Sequence, residues 1–585
     1  MAMAGSAGPD ESAKRRSPNG GTAMNGTEAV ARVLQLEGIE YLFAYPNNPI
    51  IDAAAAIGIR PIIARTEKTL LNMTDGFSRA TNGRRLGVCV VQAGPGIENA
   101  YGGVAQAYAD SIPMLLLPGG PDQHRLGVPG GEYDPLPTYR NVTKWAARVN
   151  YVDRVPEMLR RAFSHLRTGQ GAPVLLEIPR DVMLAQVDEA RFAYTPARGY
   201  RSAGDPADVA EAARLLLASS RPVLHAGHGV LWAEAWDELR ELAETLQIPV
   251  MTTMAGKSAF PEDHPLSVGA GGHTLARAAG QALVRADLIL GIGASFAKGS
   301  FSAPLPAGKT LVQITNSPRD LDRDYPTDHA VVGDAKLVLR QLIDEVRAQG
   351  GGGARGGYID AAGEIREARE AERQEWSPRL TSGESPINPY RVIHELSNAV
   401  DRRETMITHD SGNPRDQTLT FWESLAPRGY LGWGKSTQLG TGLGIALGAK
   451  LAFPDKLVIN IMGDLAFGTA ATEVETAVRE RLPIMTILLN NSRMGGYNHH
   501  MPAASERFGS NQLSGRYAGL AAELGAYSER VEDPNEVAAA IARGIAATRD
   551  GRPVVLEMIT KEEPVFPSAG AVLAAAGERV SAQAY

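Results

Sequence analysis

The chain has 585 residues, enough for about three or four domains, and 44% of them are hydrophobic, ordinary for a soluble protein. Its net charge of −7, from 59 basic and 66 acidic side chains, argues against a nucleic-acid or anionic-membrane partner. Cys89 is the only cysteine, so no intrachain disulfide is available and a reducing cytoplasm is expected; no run of about 20 apolar residues predicts a membrane span.

Residues 1–23 are rich in Gly, Ser and Ala and carry Lys14-Arg15-Arg16 without a following apolar core. They are not a secretory signal and predict a disordered tail. Residues 24–190 alternate strand-like and helix-like segments. Arg65-Thr66-Glu67-Lys68 precedes Asn72-Met73-Thr74-Asp75-Gly76-Phe77-Ser78-Arg79-Ala80-Thr81-Asn82-Gly83. An apolar strand holding Cys89, which reads as buried packing, runs into Gly94-Pro95-Gly96-Ile97-Glu98-Asn99. Tyr108-Ala109-Asp110-Ser111-Ile112-Pro113-Met114 follows, and Pro173-Val174-Leu175-Leu176-Glu177-Ile178-Pro179-Arg180-Asp181 closes the unit.

Residues 200–346 form a second unit. Pro222-Val223-Leu224-His225-Ala226 predicts a strand entering the turn Gly227-His228-Gly229, which alone is weak evidence for a nucleotide. Ala286 to Ala294 predicts another strand and turn. Residues 347–380, with Gly350-Gly351-Gly352-Gly353 and Gly356-Gly357, read as a flexible linker. Residues 381–566 form a third unit, and the Ala-rich residues 567–585 read as a helical lid or mobile tail.

The third unit carries the most chemistry. The run Leu457-Val458-Ile459-Asn460-Ile461-Met462 leads into Gly463-Asp464-Leu465-Ala466-Phe467. A second, Ile484-Met485-Thr486-Ile487-Leu488-Leu489, leads into Asn490-Asn491, and Thr472 to Arg481 predicts a helix between them. Short apolar strands of this kind suit a parallel sheet covered on both faces, where ligands collect at the carboxyl ends. A carboxylate and an amide placed there suit a hard cation such as Mg²⁺, which completes its shell with phosphate oxygens and water. The Gly463 turn can offer backbone N–H groups to a diphosphate. The plainer alternative is a Rossmann-like unit in which Asp464 only caps a helix.

Gly463-Asp464 with Asn491 placed 27 positions after Asp464 resembles the thiamine-diphosphate (ThDP) and magnesium motif of the acetolactate-synthase-like superfamily. The segment from Arg65 to Gly83 is similar to that family's R-H-E-x-x-A-x-x-M-A-D-G-Y-A-R-A-T-G. Gly94 to Asn99 matches its G-P-G-x-x-N, and Gly256 to Pro265 resembles its G-K-G-x-F-P-E-D-H-P. The resemblance implies three α/β domains with mainly parallel sheets: a pyrimidine-binding (PYR) domain, a Rossmann-like central domain and a diphosphate-binding (PP) domain.

It also implies site residues. Glu67 is the expected catalytic carboxylate, hydrogen-bonded to the pyrimidine N1′ in a fairly dry pocket; an isolated Glu is otherwise a surface residue. Pro46, Glu67, Gly94, Asn99, Gly412, Asn413, Thr437, Leu439, Gly463, Asp464, Leu465, Ala466 and Asn491 are the expected cofactor contacts. Asp464, Asn491 and the backbone carbonyl of Arg493 are the expected metal ligands. Leu439 falls where the family has a bulky aliphatic that holds the cofactor bent. In the family each site lies between the PYR domain of one subunit and the PP domain of another, which implies a homodimer or homotetramer.

The chain departs from the family in several places. A Phe-Gln-Glu loop over the cofactor is replaced by Gly130-Gly131-Glu132. His500 stands where acetolactate synthases carry a substrate-selecting Trp, so Gln106, Tyr497, His499 and His500 are the candidate substrate-facing groups. In the central domain Ser295 replaces an Arg, and Gln313-Ile314-Thr315-Asn316-Ser317 replaces an Asp-rich segment, which argues against FAD; related enzymes leave that domain empty or hold ADP. The expected activity is ThDP- and Mg²⁺-dependent carbon–carbon bond making or breaking on a small 2-oxo acid or related carbonyl compound. The alternatives are a 2-hydroxyacyl-CoA lyase and a non-catalytic ThDP-fold subunit.

Overall fold

The computed structural model describes residues 23–128, 133–299, 301–350 and 360–577. Residues 1–22 of the expected tail, the Gly130-Gly131-Glu132 segment and residues 351–359 of the glycine-rich stretch lie outside the described residues.

Three six-stranded sheets, each parallel throughout, follow one another along the chain. The first holds β2 (Tyr41–Ala44), β3 (Arg60–Ile63), β4 (Gly87–Val91), β5 (Met114–Gly120), β6 (Trp145–Arg148) and β7 (Val174–Pro179), in the order β3-β2-β4-β5-β7-β6. A short antiparallel ribbon of β1 (Ala23–Asn25) and β8 (Gln186–Asp188) ties its two ends together. The second holds β9 (Pro222–Ala226), β10 (Val250–Thr253), β11 (Ser267–Gly271), β12 (Leu288–Ile292), β13 (Thr310–Thr315) and β14 (His329–Val332), in the order β11-β10-β9-β12-β13-β14. The third holds β15 (Thr405–His409), β16 (Tyr430–Leu431), β17 (Leu457–Gly463), β18 (Met485–Asn490), β19 (Tyr527–Val531) and β20 (Val554–Ile559), in the order β16-β15-β17-β18-β20-β19. Central strands such as β4 are buried along their whole length, because helices cover both faces.

The first and third units meet at the crossing of the helices Glu67–Ala80 and Thr441–Ala452. Glycines permit the approach: a Cβ at Gly448 would lie 2.0 Å from the Met73 carbonyl oxygen, and one at Gly76 would lie 2.3 Å from that of Ile445. Arg79, fully buried on the first helix, donates to both Asp75 oxygens at 2.8 and 3.0 Å and to Asp110 at 3.0 Å.

One expectation is corrected. The stretch 347–380 is not simply a linker: Ala361–Leu380 is a 20-residue helix. Its Glu372 accepts the Arg277 N–H at 2.9 Å, and Glu364 pairs with Arg221 and Arg285 of the second unit. The helix is charged over most of its surface, but Ala361, Ile365, Ala368 and Trp376 form a narrow buried stripe on one face, and Trp376 packs against Tyr390 and Phe421. The described part of the last stretch, expected as a helical lid or mobile tail, contains the helix Ala569–Ala575, which is docked. Leu573 on the Ala569–Ala575 helix is 1% exposed, the Leu275 N–H donates to the Pro567 carbonyl at 2.9 Å, and the Ala569 N–H donates to that of His273 at 2.9 Å. Thr472 to Arg481, expected as a single helix, contains the helix Glu473–Arg479, and a separate helix, Asp464–Ala470, starts directly at the end of β17. Among the described residues no helix is long and apolar enough to cross a membrane.

Candidate active site

In the first unit the expected residues gather at the carboxyl ends of three neighbouring strands. Pro46 follows β2, Glu67 follows β3, and Gly94 with Asn99 follows β4. Glu67 opens its helix and is 7% exposed. The preceding turn is set locally by Thr66, whose hydroxyl accepts the Thr69 N–H at 3.3 Å. It is also set from the third unit: the Glu473 carboxylate, 0% exposed, accepts the N–H groups of Arg65 and Thr66 at 3.1 and 2.9 Å. Burial pushes the Glu473 pKa up, and these donors pull it back. Gly94 adopts φ +66 and lets the chain turn into the helix Pro95–Ala109, while Pro46 and Asn99 are exposed.

In the third unit the matching edge is formed by β15, β17 and β18, again neighbours. Gly412, at φ +87, starts the helix Asn413–Phe421, and a Cβ on Gly495 would lie 2.8 Å from the Asn413 amide nitrogen. Asp464 lies at the end of β17 and is 3% exposed. Among the described residues its Oδ2 is buried without a hydrogen-bond partner. Burial lifts the Asp464 pKa to about 6, against the pull of backbone N–H groups that include Leu465, Ser492 and Arg493.

The structure separates the two consecutive asparagines. Asn490 is 2% exposed and committed, donating to Glu557 at 2.7 Å and accepting the Ser492 N–H at 2.9 Å. Asn491 stands past the strand end, with its Oδ1 accepting the Arg493 N–H at 3.0 Å. Among the described residues no three His, Cys, Asp or Glu side chains cluster as a metal site. An unpartnered carboxylate oxygen beside one amide and a backbone carbonyl fits a cation that takes the rest of its shell from phosphate and water.

Thr437, at φ +49, and half-buried Leu439 lie on the segment before the helix Thr441–Ala452. The Asp410 carboxylate, 0% exposed at the end of β15, accepts the N–H groups of Ser411 at 2.8 Å, Gly440 at 3.0 Å and Gly442 at 2.8 Å. Lys68 donates to the Leu439 carbonyl at 2.6 Å. Asp410 and Glu473 escaped the sequence reading. The signal available was an acidic residue at or near each turn, and its partners lie tens to hundreds of positions away.

The substrate-facing expectations divide. Gln106 is 0% exposed; its amide donates to Asp110 at 3.1 Å and accepts the Gln438 N–H at 3.5 Å, so it braces the junction of the two units instead of facing an opening. Tyr497, His499 and His500 share the exposed four-residue helix Tyr497–His500 just after the Arg493 turn, on the same edge as Asp464 but outside any buried wall.

A cavity of about 940 Å³ opens at the carboxyl ends of β9, β12 and β13, lined among others by Gly227, Ser295, Lys298, Thr315, Asn316 and Lys435. The Gly227-His228-Gly229 turn is explained by packing: a Cβ on Gly227 would lie 2.2 Å from the Gly293 carbonyl oxygen. Beside this cavity Arg428 joins all three units. It donates to Asn82 at 2.5 Å, lies 3.1 Å from the ring nitrogen of His228 and stacks over Trp232.

Three family models match in the same order as the sheets. Residues 24–144 match the thiamine pyrophosphate enzyme N-terminal TPP binding domain, 209–342 the central domain, and 410–558 the C-terminal TPP binding domain. The chain is also 31% identical, over 571 residues covering 93% of each chain, to the probable acetolactate synthase large subunit of Methanocaldococcus jannaschii. The chain belongs to the thiamine-pyrophosphate-dependent, acetolactate-synthase-like enzymes. Within this family it is 26% identical to the acetolactate synthase isozyme 3 large subunit of Escherichia coli, covering 93% of this chain and 96% of that one. It is 29% identical to the glyoxylate carboligase of Escherichia coli O157:H7, covering 92% and 93%. For this acetolactate-synthase-like enzyme, then, both cofactor-binding domains are present, and their candidate residues lie at strand ends where ligands of parallel sheets bind.

Proposed function

We propose that this enzyme is a ThDP- and Mg²⁺-dependent carboligase that joins two small 2-oxo acids, with loss of carbon dioxide from one. The observation that carries the reading is the buried, unpartnered Oδ2 of Asp464 beside Asn491, on strands adjoining the Gly412-Asn413 turn. Asp464, Asn491 and the Arg493 carbonyl would hold Mg²⁺, and Gly412 with Asn413 would face the diphosphate. Bound ThDP supplies a thiazolium whose C2 loses a proton and which serves as an electron sink beside a carbonyl. Glu67, buried at the start of its helix, would hold the proton at the pyrimidine N1′. Leu439 would press the cofactor into the bent shape that brings its two rings together. By the family resemblance, in which the pyrimidine-binding domain of one subunit faces the diphosphate-binding domain of another, we take the working unit to be a homodimer with each site shared between subunits.

A second reading rests on the 940 Å³ cavity, whose lining includes Lys298, Arg323 and Lys435. It suits an adenine nucleotide, including that of a CoA thioester, and would make the enzyme a 2-hydroxyacyl-CoA lyase. The test is purified protein supplied with Mg²⁺ and ThDP, assayed for deuterium exchange at C2 and for product from pyruvate, glyoxylate or a 2-hydroxyacyl-CoA. Exchange with a carboligation product supports the first reading, and CoA-thioester cleavage supports the second. A protein that binds no ThDP in Mg²⁺ overturns both.

A further inference from the structure

We infer that Lys68 is a positioning residue that fixes the Leu439 turn of its own chain, and so sets how the wedge meets the cofactor. The inference rests on the ThDP reading given above.

Lys68 is the second residue of the helix Glu67–Ala80. A cation there opposes the helix dipole, which favours negative charge at the N-terminus. The side chain is also half-buried, and burial lowers its pKa, with only the Asp410 charge acting against that. Two penalties therefore fall on this lysine. The contact that offsets them is its hydrogen bond to the Leu439 carbonyl at 2.6 Å, together with the nearby carboxylate of Asp410.

The turn it reaches is held from two further sides. Asp410 takes the Gly440 and Gly442 N–H groups at 3.0 and 2.8 Å. Gly440, at φ +84, leaves no room to shift towards the helix Asp464–Ala470, because a Cβ there would lie 2.3 Å from the Thr469 hydroxyl. Leu439 thus sits between an ammonium on its carbonyl, a carboxylate on the two following N–H donors, and the helix that begins with the proposed metal ligand. Lys68 touches no reacting atom; it acts through Leu439. Since Lys68 adjoins Glu67, the same helix end presents the proton-holding carboxylate and fixes a wedge.

The test compares full-length wild type, Lys68→Met and Lys68→Arg in saturating Mg²⁺. Three readouts are taken: ThDP affinity by calorimetry, the near-ultraviolet circular dichroism of the bound cofactor, and deuterium exchange at C2. Lys68→Met is expected to keep ThDP affinity within about threefold, change the dichroism band and slow exchange by about tenfold or more. Lys68→Arg, which restores a cationic donor, is expected to recover the band and most of the exchange rate. Wild-type dichroism and exchange in Lys68→Met overturn the inference while leaving the ThDP reading intact. So does a Lys68→Met protein whose melting temperature falls along with both readouts and whose loss Lys68→Arg does not repair. A wild-type protein that binds no ThDP overturns the reading and this inference together.

Discussion

Arg79 donates to the carbonyl oxygen of Gly432 at 2.8 Å, bridging 353 positions of sequence between the PYR and PP sheets. The same guanidinium holds Asp75 and Asp110, and all three side chains are at most 1% exposed. Burial alone would lift the Asp75 carboxyl out of its usual range, and the arginine opposes that. Replacing Arg79 with Met leaves two buried carboxylates without the cation that hydrogen-bonds both of them. We expect a loss of about 3–5 kcal/mol, seen as a lower unfolding midpoint in urea. An unchanged midpoint would show that the network contributes nothing to stability.

Gly448→Ala tests the helix crossing. The new methyl would stand 2.0 Å from the Met73 carbonyl, and a backbone atom cannot swing away as a side-chain tip can. Separating the helices should cost about 1–3 kcal/mol, and somewhat more if both must move. Gly468→Ala, whose Cβ meets nothing within 4 Å, is the control and should melt near wild type. Equal melting of the two variants contradicts the close-contact argument.

In the cofactor-free protein Asp410 should contribute a loss of stability as pH rises from about 4 to about 6. Its carboxyl is raised from 3.8 to about 6 by burial, against three backbone donors and the charge of Lys68. Between those values the folded chain binds more protons than the unfolded chain, so raising the pH favours unfolding. Asp410→Asn removes that titration, so the change in its melting temperature from about pH 4 to about pH 6 should be shifted towards a rise relative to wild type. A slope as steep as wild type would mean that another group carries it.

Mixing tests whether sites are shared between subunits. Glu67→Gln and Asp464→Asn homodimers should each lack nearly all activity. A mixed dimer carries one site with both groups intact and should regain about half of the wild-type rate per dimer, provided its two sites turn over independently. No recovery in a purified mixed dimer would place Glu67 and Asp464 in one chain's site.

Ligand-linked stability checks the metal ligands directly. Mg²⁺ with ThDP at about 100 times the dissociation constant should stabilise wild type by about 2.7 kcal/mol. The shift should vanish in Asp464→Asn, whose amide offers one neutral acceptor where the carboxylate offered two. A full shift in that variant would remove Asp464 from the cation.

Much of the edge chemistry was legible in sequence, because it is local. A strand's apolar run followed at once by Gly-Asp or Asn-Asn fixes which residues stand at its carboxyl end, and backbone geometry does the rest. The Gly94-Pro95 and Gly412-Asn413 turns are legible for the same reason: a positive φ selects Gly, and Pro then opens the helix. The helix Ala361–Leu380 was not legible, since its buried stripe is narrow among many charged residues and a glycine run in front of it suggested a linker.

By itself the sequence determined the three alternating α/β units, the proposal of Glu67, Asp464 and Asn491 as chemistry-bearing residues, and the turns that present them. Only the tertiary structure decided that Asn490 is occupied with Glu557 while Asp464 keeps an unpartnered oxygen, and that Gln106 is a buried brace. It alone decided that Asp410, Glu473 and Lys68 aim the turns on either side of the domain junction. Most of these are contacts made when packing excludes water from groups tens to hundreds of residues apart, and a one-dimensional pattern records only the spacing of near neighbours.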